Sequence, residues 1–170
     1  ALYTSKNYDE EVNIIVSLAK NFYTEKIKNV LEIGAGTGNH TMMLAKHNFS
    51  VTAIDTDEKM ISLAQKKIAQ SKFPKVKLIN LSVEKLEEKN FELAIAGFNV
   101  VNYLPDFGSL HSFFKAIHSR LKKNGLLIFD CWNGIAAIID PPKTKVIRGK
   151  IGDNFVACVI TRKNDFFRKK

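Results

Sequence analysis

The chain has 170 residues, a net charge of +9, and 45% hydrophobic residues. That length suits one domain with a packed core, and the composition excludes disordered and fibrous classes. No apolar run approaches the ~18 residues that cross a bilayer and no signal peptide is visible, so the expectation is a cytoplasmic protein without a membrane partner.

In chain order, Glu10 to Thr24 carries Val12, Ile15, Val16, Ala19 and Phe22 on one helical face. Lys28–Ile33 reads as a strand and Gly38–Asn48 as a helix. Val51–Asp55 is a second strand. Asp57–Ser71 is a helix with Asp57 and Glu58 in its first turn, where negative charge suits the helix dipole. Val76–Asn80 and Phe91–Gly97 are the third and fourth strands. Ser109–Leu121 is a helix, with Gly125 expected as its C-terminal stop. Leu126–Cys131 is the fifth strand. Strands that are nearly continuous apolar runs, alternating with helices, predict a doubly wound α/β fold around a mostly parallel sheet. Val146–Arg148 and Phe155–Thr161 read as a short β extension.

Charge is uneven. From Pro141 to Lys170, nine Lys and Arg stand against Asp153 and Asp165, a net +7. The segment is a solvated basic end, or it attracts an anionic substrate such as a nucleotide-linked sugar, or RNA. No RNA-recognition motif or stacking pattern of aromatics accompanies it. Cys131 and Cys158 lie far apart with no CxxC spacing and read as buried thiols, and the histidines have no zinc spacing. No metal is expected.

The densest signal is Val30-Leu31-Glu32-Ile33-Gly34-Ala35-Gly36-Thr37-Gly38-Asn39-His40-Thr41. An apolar strand ends in a turn with three alternate glycines, and a helix opens after it. Glycines permit positive φ and close approach of a ligand to the backbone. The free N–H groups of the helix start favour an anionic or electron-rich ligand group. A dinucleotide site wants G-x-G-x-x-G, whose third glycine position is Asn39 here. Asp55 ends the second strand and can accept two ribose hydroxyls, or it can cap the next helix together with Thr56 and Asp57.

With Glu32 two residues before Gly34, the run resembles the first motif of class I S-adenosylmethionine (SAM) dependent methyltransferases. The resemblance implies SAM as cofactor and strand order 3-2-1-4-5. It implies that Glu32 receives the ligand's ammonium group and that Gly34, Ala35, Gly36 and Gly38 carry the turn. Asp55 and Thr56 follow strand two, where the ribose is held. Met60 matches a methionine that packs on adenine, and Met fills core gaps equally well. Ser82-Val83-Glu84-Lys85-Leu86 aligns with a D-A-x-D-L pattern, so Ser82 replaces an Asp at the adenine amino group, beside Val83. Phe98 and Asn99 flank the methionine portion.

A looser likeness joins the chain to small-molecule methyltransferases, including N-methylases of nucleotide-linked amino sugars. It rests on Phe98-x-x-x-x-Tyr103-Leu104, Phe129-Asp130-Cys131-Trp132-Asn133, and Leu2-Tyr3 … Tyr8 … Glu11. It implies that Tyr8 contacts the cofactor carboxylate, and that Tyr3, Tyr103 and Trp132 border a small-molecule acceptor, an amine or hydroxyl. Tyr103, with His111 as an alternative, is the candidate catalytic group. His40, His47 and His118 read as surface or packed histidines. The [D/N]-P-P-[Y/F] motif of base and amide N-methylases is absent. An RNA or protein methyltransferase, or a non-catalytic SAM-fold module, is the alternative function.

The expected organisation is a helical lid over 1–24, a SAM-binding core over 25–135, and a basic β extension over 136–170. The extension reads as truncated, because a class I chain closes with a helix and strands six and seven. A start at Ala1 rather than Met points the same way. The oligomeric state, a homodimer included, is left open.

Overall fold

The computed structural model describes residues 7–71 and 73–133, and the backbone of 145–151 and 154–160. Its elements are α1 (Tyr8–Phe22), β1 (Asn29–Ile33), α2 (Asn39–Lys46), β2 (Ser50–Asp55), α3 (Glu58–Ser71), β3 (Val76–Asn80), β4 (Phe91–Ala96), α4 (Phe107–Arg120), β5 (Leu121–Phe129), β6 (Lys145–Ile151) and β7 (Asn154–Ile160). Short 3-10 turns at Val83–Lys85 and Val100–Tyr103 follow β3 and β4. The chain divides into two compact units: Asn7–Cys131, and Ala1–Lys6 with Trp132–Lys170.

In the first unit, β1 to β5 form one parallel sheet in the order β3-β2-β1-β4-β5. This is the doubly wound order that the resemblance implied. The central strands are buried on both faces, which explains their nearly continuous apolar runs. Side chains alternate across the sheet. Val30, Val51 and Leu93 pack on one face with Val12, Val16, Ala19 and Tyr23 of the α1 region and with Leu44 of α2. Leu31, Ile54 and Ala94 pack on the other with Phe113 and Ile117 of α4.

Glu92 is a buried anchor for this sheet. Its carboxylate accepts the backbone N–H of Asn29 at 2.6 Å and of Lys28 at 3.3 Å, and it pairs with Lys122. Burial alone would push its pKa up. The Lys122 ammonium and the two N–H groups outweigh that and hold it below the ordinary carboxylate range.

Several local expectations are corrected. Helix α1 starts at Tyr8, two residues early, because the Asn7 side chain accepts the Glu10 N–H and caps it. Phe22 is 74% exposed and Tyr23, just past the helix, fills the buried place instead. Gly125 is not a left-handed helix stop. The helix ends at Arg120, β5 begins at once, and Asn124 takes the positive φ of 64°. A Cβ on Gly125 would lie 3.0 Å from the Lys122 carbonyl and 3.1 Å from that of Phe91, so the residue permits close backbone approach where the β4–β5 register shifts. Cys131 is exposed rather than buried.

In the second unit, β6 and β7 pair antiparallel, with Arg148 opposite Ala157. Both are longer than expected, Thr161 lying outside the described residues. The expectation of missing closing elements falls on 134–144 and 161–170, also outside the described residues, as does most of the basic segment. No helix among the described residues is long and apolar enough to cross a membrane.

Candidate active site

The glycine turn leaves β1 at its C-terminal end, beside the corresponding end of β2. Gly34, Gly36 and Gly38 have φ of 75°, 53° and 76°. The turn is strapped to β2: the N–H groups of Gly34 and Ala35 both reach the Ile54 carbonyl, at 2.9 and 3.0 Å. The Gly36 N–H donates to the Asp55 carboxylate at 2.7 Å. A Cβ on Gly34 would strike Val100 at 2.4 Å, and one on Gly38 would press on Ala64 at 3.0 Å. One on Gly36 would meet nothing within 4 Å. Packing therefore requires the first and third glycines, while the middle one borders open space where a ligand can touch the backbone.

Asp55 does not cap the next helix. Asp57 does, accepting the N–H groups of Lys59 and Met60. Each Asp55 oxygen takes one backbone N–H, from Gly36 and from Asp57. A carboxylate has about four acceptor positions, so two hydroxyls can still be received. Thr56 and Met60 are exposed next to it, and Met60 is not core. Across from Asp55, Asn80 ends β3, and half-buried Ser82 and buried Val83 follow.

Glu32 is 4% exposed and receives the Thr41 hydroxyl at 2.6 Å. Burial lifts its pKa to about 7. The Thr41 bond opposes this, and the charge of Asp55 adds to it. A buried carboxyl poised in this way favours a cationic group beside it.

Glu32 borders a cavity of about 320 Å³ under α1, at the ends of β1, β4 and β5. Its polar lining includes Glu11, His40 and Asp130, and among the described residues no Lys or Arg contributes. Phe98 and Phe129 give it aromatic walls. The Tyr8 ring meets His40 edge-on at 5.0 Å. Phe98 and Asn99 both hold the left-handed conformation, at φ of 68° and 62°. Such strain in non-glycine residues persists where the surroundings enforce it. Here Asp130 accepts the Asn99 N–H at 2.8 Å.

Thus Tyr8, Glu32, the glycines, Asp55, Phe98 and Asn99 gather at neighbouring strand ends. Tyr103 is 84% exposed and His111 is exposed on α4, and neither lines the cavity. Trp132 opens the second unit and is exposed, and Tyr3 lies outside the described residues. His40, Glu11 and Asp130 were not singled out as site residues from sequence. Glu11 and Asp130 stand within the motifs that carry the looser likeness, and His40 stands directly behind the turn. Among the described residues no His, Cys, Asp or Glu cluster could hold a metal ion.

Residues 30–125 match the family model described as a methyltransferase domain. A protein of Geobacillus sp. (strain WCH70) named as a methyltransferase is 30% identical over 124 residues, 72% of this chain and 50% of the relative. The chain thus spans about half the length of that curated relative. The crystal structure of a SAM-dependent methyltransferase from Clostridium acetobutylicum superposes with a TM-score of 0.77 at 22% identity, covering 94% of this chain and 64% of the other. An amino pentose methyltransferase from Micromonospora echinaspora, solved with SAM bound, superposes at 0.74 and 19% identity, covering 94% and 66%. With the strand order, the glycine turn and the acidic residues at the ends of β1 and β2, the match over 30–125 establishes that the chain belongs to the class I SAM-dependent methyltransferases.

Proposed function

We propose that this chain binds SAM and serves methyl transfer to a small-molecule amine. The observation that carries the reading is the cavity at the ends of β1, β4 and β5, where Glu32, Glu11 and Asp130 stand with no Lys or Arg among the described residues that line it. Bound SAM supplies a methyl group on a sulfonium, already a strong electrophile, so the protein's task is alignment and desolvation.

Glu32 takes the cofactor ammonium and Tyr8 borders its carboxylate. The Gly34–Gly38 turn offers backbone N–H groups, and Asp55, with Thr56 beside it, takes the ribose hydroxyls. Met60, Ser82 and Val83 hold the adenine, and Phe98 and Asn99 border the methionine portion. An amine arrives protonated and must lose a proton before attack. Asp130 is fixed by the Asn99 N–H and faces the cavity, so it is the first group to test for holding the ammonium and accepting that proton. Tyr103 and His111 are candidates for orienting the acceptor. The neighbour that methylates an amino pentose supports a sugar amine as acceptor. The net charge of +9 supports a phosphate-bearing carrier on it.

Calorimetry with SAM, S-adenosylhomocysteine and NAD tests the cofactor, with Asp55→Ala as control. Micromolar SAM binding, lost in the variant and absent for NAD, is the expected result. A methyl-transfer panel of amino sugars, matched neutral sugars and RNA then tests the acceptor. Transfer to the neutral sugar or to RNA alone would reject the amine.

A further inference from the structure

His40 is the second residue of α2, and it faces two other elements at once. Its Nε2 lies 2.7 Å from a Glu11 carboxylate oxygen on α1. The Tyr8 ring, one turn earlier on α1, packs edge-on against it. On its far side the Phe98 ring lies at 6.3 Å, on the strained turn after β4. Both Glu11 and His40 line the cavity that Glu32 borders. The imidazole therefore joins the first turn of α1, the start of α2 and the β4 turn around one ligand space. We propose that the Glu11–His40 pair is a positioning device: it seats the N-terminal half of α1 as the roof of the cavity and thereby sets the affinity for the nucleoside-linked ligand.

The two halves of α1 differ in a way that gives the pair this role. Val16 and Ala19 are buried in the core, and Tyr23, just past the helix end, is buried with them. That half is seated by apolar packing, with Leu18 at the cavity. Toward its N-terminus, Val12 is the buried apolar residue, while Ile14 is 55% exposed although it lines the cavity. A carboxylate–imidazole bond is partly charge-assisted, and its loss weakens the seat about tenfold. Glu11 and His40 act through where they place α1 and need no direct part in the reaction. The ligand half of this inference rests on the proposed SAM reading. The seating of the helix does not.

The test is hydrogen exchange followed by mass spectrometry on the ligand-free 170-residue chain, comparing peptides over 8–15 and 16–22. In His40→Ala and in Glu11→Ala, exchange over 8–15 should quicken about tenfold while 16–22 keeps its wild-type rate. The double variant should fall short of the sum of the two singles, since both remove the Glu11–His40 bond. His40→Gln keeps an N–H donor for Glu11 and should restore most of the protection. Calorimetry with S-adenosylhomocysteine should show Kd raised about tenfold in each single variant, by less than the product of the two effects in the double, and largely recovered in His40→Gln.

Unchanged exchange over 8–15 in the singles, or effects that add in the double, would overturn the proposal. Faster exchange with unaltered Kd would overturn its ligand half and leave the pair a helix staple. If His40→Ala unfolds, Glu11→Ala and His40→Gln decide the matter on folded protein. Failure of the wild type to bind S-adenosylhomocysteine would defeat the SAM reading. The ligand-free exchange would still decide the seating.

Discussion

The Gly36 N–H donates to the Asp55 carboxylate at 2.7 Å, so the residue that ends β2 holds the turn that ends β1. Asp57, two residues on, caps α3 and takes no part in the turn. Neighbouring carboxylates therefore have separable duties. Asp55→Ala should weaken S-adenosylhomocysteine binding by about 30-fold or more, through lost charge-assisted hydrogen bonds and a loosened turn. Asp57→Ala should cost about 1 kcal/mol of stability as a lost cap and leave Kd within twofold or so. Urea unfolding and calorimetry on the two variants check this.

Glu32 should make the ligand-free chain less stable as pH rises. Its folded pKa of about 7 lies above the ordinary value of 4.5, so its favourable contribution is full below pH 4.5 and is lost as pH rises through 7. Glu32→Gln keeps an acceptor for Thr41 and removes the buried charge. At pH 8 it should be more stable than wild type by up to about 3 kcal/mol, and the gap should close near pH 5. A variant less stable than wild type at pH 8 would contradict the origin assigned to the shift.

The same carboxyl should release a proton on ligand binding. An ammonium beside Glu32 lowers its pKa, so binding of S-adenosylhomocysteine near pH 7 should expel about half a proton. Calorimetry in buffers of different ionisation enthalpy reads this directly. Buffer-independent enthalpies would place the ammonium elsewhere.

The glycines should separate by role. Gly34→Ala combines a positive φ with a 2.4 Å clash against Val100 and should destabilise by about 2–4 kcal/mol. Gly36→Ala meets open space and should cost only about 1–2 kcal/mol for its left-handed backbone, while its methyl enters the ligand space and weakens binding. Thermal unfolding and calorimetry together distinguish the two.

Glu92 gives the opposite pH dependence from Glu32. Its folded pKa is lowered, so its contribution is present above the ordinary carboxylate value and lost as pH falls through the folded one. Glu92→Ala should cost about 2–3 kcal/mol at pH 7, with Lys122 partly exposed and two backbone N–H groups left without their acceptor. The difference from wild type should shrink below about pH 4 in urea titrations.

Much of the architecture was legible because its causes are local. The β1, β2 and β4 runs show their burial as nearly continuous apolar stretches, and the alternating glycines mark a positive-φ turn at its own positions. Phe22 failed because a 3.6-residue period marks a face without saying where the neighbouring layer ends. Gly125 failed because the reason for that glycine, close approach to the Phe91 carbonyl, comes from another strand.

The α/β class and the glycine turn are readable in the chain alone, since periodicity and backbone freedom are local properties, and Glu32 and Asp55 stand out there through the family resemblance. Which groups meet at the cavity depends on the tertiary fold. Glu11 and His40 are 29 residues apart, and the Asn99 N–H and the Asp130 carboxylate are 31 apart. A parallel sheet brings the carboxyl ends of distant strands to one edge, and no local pattern encodes which residues arrive there together.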